Sequence, residues 1–114
     1  MIKDKIYIFD TTLRDGAQTQ GVDFSLDDKF KIANSLDALG VDYIEGGWPG
    51  ANPTDTEFFQ KKIKYKNSIL TSFGMTKRTG RSAENDPGLS ALLNSNTRAV
   101  CIVGKSWDFH VKVA

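Results

Sequence analysis

Ser25-Leu26-Asp27-Asp28-Lys29-Phe30-Lys31-Ile32-Ala33-Asn34-Ser35-Leu36-Asp37-Ala38-Leu39-Gly40-Val41-Asp42-Tyr43-Ile44 is a helix followed at once by a strand. Ser25 has the side chain of an N-cap, with Asp28 at N3 and Asp27 beside it in the positive first turn. Leu26, Phe30, Ala33, Leu36 and Leu39 recur at helical spacing and predict one buried stripe. Gly40 stands where a left-handed residue ends a helix. Val41-Asp42-Tyr43-Ile44 is then a β-branched and aromatic run. Working outward, Ile6-Tyr7-Ile8-Phe9 precedes this unit, and its unbroken apolarity predicts a strand covered on both faces. Beyond it, Asn52-Pro53 reads as N-cap and N1, with Asp55 at N3 and Phe58, Phe59 and Ile63 as the buried side. Ile69-Leu70-Thr71-Ser72-Phe73 is the third strand-like run. Asp86-Pro87 repeats the helix start before Leu89, Leu92 and Leu93, and Ala99-Val100-Cys101-Ile102-Val103 is the fourth run.

The order is therefore β-α-β-α-β-α-β, which implies parallel strands joined by right-handed crossovers. An open doubly wound sheet and part of an eightfold barrel both fit. The strand starts recur about every 30 residues, close to the roughly 31 per unit of a (β/α)8 barrel, so 114 residues make nearly four units. The chain carries 15 Lys+Arg against 14 Asp+Glu, and this balance argues against a charged nucleic-acid face. One cysteine excludes an intrachain disulfide, and one histidine excludes a metal site needing two imidazoles from these residues alone. No apolar run approaches a membrane span and the first residues lack the apolar stretch of a secretory signal, so the expected setting is cytoplasmic.

In both architectures ligands bind at the carboxyl ends of the strands. After the first run come Asp10-Thr11-Thr12-Leu13-Arg14-Asp15-Gly16-Ala17-Gln18, a dense polar cluster. The Asp15 carboxylate is suited to a hard divalent cation, and the neighbouring Arg14 guanidinium to a carbonyl or enolate oxygen. Together they would serve a metal-assisted reaction on a 2-oxo acid. The structural alternative is an Arg–Asp pair that fixes a loop, with Asp10 as a strand-end cap. Glu45 ends the second run before Gly46-Gly47; it is either a substrate hydrogen-bond acceptor or a surface residue before a tight turn. His110 has no evident partner, Cys101 reads as a buried small hydrophobe, and Trp48 and Trp107 suit either a pocket wall or a barrel cap. Lys61, Lys62, Lys64 and Lys66 read as a solvated helical face.

Phe9-Asp10-Thr11-Thr12-Leu13-Arg14-Asp15-Gly16-Ala17-Gln18 resembles the opening motif of the 2-isopropylmalate, homocitrate and citramalate synthase family, acetyl-CoA-dependent acyltransferases on a TIM (β/α)8 barrel. Gly46-Gly47-Trp48-Pro49-Gly50 and Val103-Gly104-Lys105-Ser106-Trp107-Asp108-Phe109-His110-Val111 are similar to the citramalate-forming branch. The resemblance covers nearly the whole chain. It implies that residues 1–114 are a partial pyruvate-carboxyltransferase-type catalytic domain, the N-terminal half of a barrel in four β/α units. It implies a Claisen-type condensation: acetyl-CoA loses a methyl proton, its carbon attacks the keto carbon of pyruvate, and the thioester is hydrolysed to citramalate, a step towards isoleucine. It further implies a divalent cation (Mg, Mn or Zn) with Asp15 as ligand, Arg14 as the catalytic group on the keto oxygen, Gln18 and Glu45 at the substrate, and a homodimer in the full-length enzyme.

The family takes its remaining metal ligands from a late His-x-His pair and a catalytic Glu from a middle strand, which this sequence does not supply. The expectation is a fragment that is unstable, oligomeric or inactive alone, with its first and last strands as open edges. The alternatives are 2-isopropylmalate or homocitrate synthase, an aldolase or lyase acting on a metal-bound oxo acid, and a catalytically dead half-barrel.

Overall fold

The computed structural model describes residues 3–113. Four strands, β1 (Phe9–Asp10), β2 (Tyr43–Gly47), β3 (Ile69–Met75) and β4 (Ala99–Val103), form one parallel sheet in the order β1-β2-β3-β4. Four helices alternate with them: α1 (Leu26–Leu39), α2 (Pro53–Gln60), α3 (Pro87–Asn94) and α4 (Asp108–Val113). A doubly wound sheet reverses its strand order at a switch point. Here the order never reverses, so the four β/α units follow one another as they do around a barrel wall.

Local chemistry starts the first three helices where the sequence places them. The Asp28 amide donates to Ser25 Oγ at 3.1 Å and the Ser25 amide to Asp28 Oδ2 at 3.0 Å, a complete capping box. Asn52 accepts from the Asp55 amide at 2.8 Å, and Asp86 from the Leu89 amide at 3.0 Å. Gly40, at φ 91°, ends α1 in the left-handed conformation that a side chain disfavours. Ile44 on β2 is fully buried against Ala33, Phe58 and Phe59, with Leu13 and Val41 completing the core on the helix side of the sheet. Strand alternation turns Glu45 and Phe73 to the opposite face.

Several expectations of burial fail. Ile6, Tyr7, Ile8 and Phe9 are exposed, Ile6 by 80%, and β1 pairs only over Phe9–Asp10. Among the described strands β1 has β2 as its one neighbour, so its outer edge and much of its surface stay open. Leu39 and Leu93 are exposed by 77% and 81% on helix sides that meet no described element. Ile63 lies past the end of α2 and is 40% exposed, and the lysine cluster of residues 61–66 lies in that same connection rather than on a helix. Cys101 is half-buried rather than buried. No helix among the described residues is long and apolar enough to cross a membrane.

One side chain on α1 organises the connection into β3. Asp37 accepts from the amides of Lys66 (3.1 Å), Asn67 (2.8 Å) and Ser68 (2.8 Å). Burial pushes its carboxyl up, but these three donors outweigh it and hold Asp37 below the usual carboxylate range. A carboxyl lowered by folding stabilises above its unfolded pKa, and that contribution is lost as pH falls through the folded value. Asp37→Asn should therefore be less stable than the parent at neutral pH, with the gap closing as pH falls below the ordinary carboxylate range. Urea denaturation midpoints across that range measure this, and a constant gap would contradict it.

Candidate active site

The segment after β1 is built to present a guanidinium. The Asp10 carboxylate accepts from the Thr12 amide at 2.9 Å and the Thr12 hydroxyl at 3.1 Å. The amides of Arg14, Asp15 and Gly16 then all donate to the Thr11 carbonyl, and Gly16–Gln18 form one helical turn. Leu13 is buried in the core, and Arg14 beside it lines the cleft with Gln18 and Trp48.

Arg14 Nε donates to Glu45 Oε1 at 2.5 Å, and Arg14 Nη1 lies 3.5 Å from Asp15 Oδ1. The guanidinium carbon sits 4.1 Å from the centroid of the Phe73 ring. Phe73 is braced edge-on by Trp48, centroids 5.1 Å apart. Three elements thus hold one cation: the loop after β1, the middle of β2 and, through Phe73, β3. Glu45 is fully buried, which removes the surface reading of this residue. Its second oxygen, Oε2, has no hydrogen-bond partner. A buried carboxylate oxygen without a donor is costly, and such groups mark places where function overrides stability. The Cys101 thiol lies on the same side of the sheet; burial and the nearby Glu45 charge push it up, so it is a poor nucleophile.

The structure brings Arg14, Asp15 and Glu45 into one linked group, and Gln18 lines the adjoining cleft with Arg14 and Trp48. That cleft has a volume of about 440 Å³. His110 is exposed on α4 and stacks edge-on with Trp107, centroids 4.6 Å apart, outside the cleft lining. The described residues contain no group of three or more His, Cys, Asp or Glu side chains that could hold a metal ion. Asp15, 66% exposed, offers a cation one carboxylate, so the described residues do not by themselves fit a bound metal.

Two lining residues were not singled out from the sequence as functional. Lys29 is 1% exposed, and its Nζ donates to Asp55 Oδ1 at 2.6 Å and to the Leu13 carbonyl at 3.0 Å. Burial lowers the Lys29 pKa, with Asp55 opposing the shift. The signal was available: Lys29 falls between Leu26 and Ala33 on the apolar stripe, where a charge needs a partner.

A family model described as HMGL-like matches residues 5–110. The chain belongs to the HMGL-like family. Its four sequential β/α units are half of the (β/α)8 barrel of that family. The HMGL-like chain is 54% identical over 110 residues to (R)-citramalate synthase of Aquifex aeolicus, covering 95% of this chain and 21% of that protein. It is 48% identical over 116 residues to (R)-citramalate synthase of Streptomyces coelicolor, covering 99% of this chain and 22% of that protein. It is also 36% identical over 110 residues to 2-isopropylmalate synthase 1 of Caldanaerobacter subterraneus, covering 95% and 26%. The chain therefore spans about a fifth of the length of the curated relatives it matches.

Removing Arg14 would strand a fully buried carboxylate. Arg14→Met should cost about 3 kcal/mol, the low end for a broken buried pair because the Arg14 side chain is partly exposed. Adding Glu45→Gln should recover much of that loss, since it removes the unpaired charge. A double-mutant cycle in urea tests this, and additive losses would show that the two groups are uncoupled.

Proposed function

We propose that this chain supplies half the active site of a citramalate synthase-type acyltransferase, which condenses acetyl-CoA with pyruvate. The observation that carries the reading is the Arg14–Glu45 pair, in which a fully buried carboxylate holds the guanidinium that lines the cleft with Gln18 and Trp48. The 43–54% identity to five citramalate synthases, against 36% to a 2-isopropylmalate synthase over a similar span, supports pyruvate over the larger oxo acids.

In the reaction a C–H bond of the acetyl methyl group breaks, a C–C bond forms to the keto carbon, and the keto oxygen becomes an alkoxide that takes a proton. Water then cleaves the thioester and free CoA leaves. Arg14 is the catalytic group: Glu45 engages its Nε, and its Nη atoms carry the further donors that hold the keto oxygen as negative charge develops there. Glu45 orients the guanidinium through Nε; it is fully buried and does not itself line the cleft, so it acts at the substrate through Arg14. Gln18 contributes a side-chain amide at the cleft wall. Asp15 is the carboxylate that these residues would lend to a divalent cation. On this reading the complete enzyme is a cytoplasmic homodimer that takes acetyl-CoA and a small 2-oxo acid, with no nucleic acid or membrane as partner.

The test is turnover by the full polypeptide that carries these residues, with pyruvate, 2-oxoisovalerate and 2-oxoglutarate as acceptors and release of the CoA thiol as readout. Pyruvate should be the preferred acceptor. Arg14→Lys, which keeps the charge but loses the fork, should lower kcat by about a hundredfold or more. Preference for either larger oxo acid would replace the substrate assignment, and an unchanged kcat in Arg14→Lys would remove Arg14 from the chemistry.

A further inference from the structure

We propose that Lys29 and Asp55 are positioning residues for the Arg14–Glu45 site, their buried ion pair setting the separation of the loops after β1 and β2. Lys29 stands in the first turn of α1 and Asp55 in the first turn of α2, so each helix start reaches towards the other. Lys29 Nζ holds the Leu13 carbonyl at 3.0 Å, one residue before Arg14. Asp55 Oδ1 takes Lys29 Nζ at 2.6 Å, and its Oδ2 accepts from the Trp48 amide at 2.9 Å. Trp48 in turn braces Phe73, the ring on which the Arg14 guanidinium lies. One ion pair therefore reaches two supports of Arg14 besides Glu45: its own backbone, through Leu13, and its aromatic platform, through Trp48.

The cost of this arrangement argues for its use. A lysine 1% exposed has lost its hydration, and an unbranched apolar side chain would fill the same path beside Phe58 without that loss. The backbone makes room for it as well. Gly47 has φ 152°, and a Cβ there would lie 2.6 Å from Asp55 Cγ, so a side chain would evict the carboxylate. Lys29, Asp55, Arg14, Gln18 and Trp48 all line the same cleft, so a change in this pair alters the shape of the space a substrate enters. The kinetic part of this proposal rests on the condensation proposed above; the geometric part does not.

The experiment uses Lys29→Met and Asp55→Asn in the full polypeptide, each studied by amide hydrogen exchange and by turnover of acetyl-CoA with pyruvate. Exchange should rise about tenfold in residues 11–18 and 46–52 while β3 and β4 keep parent rates. In the same variants kcat should fall about tenfold to a hundredfold, with KM for acetyl-CoA within about twofold of the parent. A purely structural pair would loosen the sheet as a whole and leave turnover per folded molecule unchanged, and that result overturns the proposal. Should Lys29→Met open every segment, Asp55→Asn decides, because it keeps the side-chain shape and an acceptor for Trp48. Parent exchange in both loops of Asp55→Asn also overturns it. Absence of turnover in the parent would count against the condensation alone, and the exchange pattern would still judge the pair.

Discussion

A carboxylate with no access to water must be matched, and Glu45 is matched by Arg14. That constraint ties the middle of β2 to the loop after β1 and orders the surrounding features. Arg14 can reach Glu45 because Leu13, its neighbour, is anchored in the core and because the Thr11 carbonyl gathers three successive amides into a tight turn. It stays planar against Phe73, which Trp48 holds in place. The pair satisfies one Glu45 oxygen and leaves the other without a donor.

The rest of the sheet is uneven in the same direction. The helix side between β2, α1 and α2 is closed, with Ala33, Ile44, Phe58 and Phe59 fully or nearly fully buried. Both sheet edges are open, and Ile6, Ile8, Val100 and Ile102 carry large apolar side chains into solvent. Four consecutive units of a closed eightfold wall have this distribution: two satisfied central strands and two outer strands lacking a neighbour. The outer residues that were expected to be covered meet no covering element among the described residues.

Local signals were legible because they act over three or four residues. The capping box of Ser25 and Asp28, the caps at Asn52 and Asp86 and the left-handed Gly40 all follow from side chains next to the backbone groups they serve. β3 and β4 lie where the β-branched runs predict, β2 and β3 extend further towards their carboxyl ends than those runs do, and β1 keeps only Phe9 of its run. The cluster of Arg14, Asp15 and Gln18 was legible for a related reason, since it follows a strand whose end must face the ligand side of a parallel sheet.

By itself, then, the sequence determined the alternation of elements, their starting caps and the segment that meets a ligand, because each depends on neighbours along the chain. Whether Glu45 sits at the surface or within, and whether Lys29 is an idle charge on an apolar stripe or the partner of Asp55, depended on contacts 31 and 26 residues apart. Those contacts exist only once β1 and β2 lie side by side and α1 packs on α2. A charge buried by tertiary packing acquires both its cost and its partner at that moment, and no local pattern encodes either.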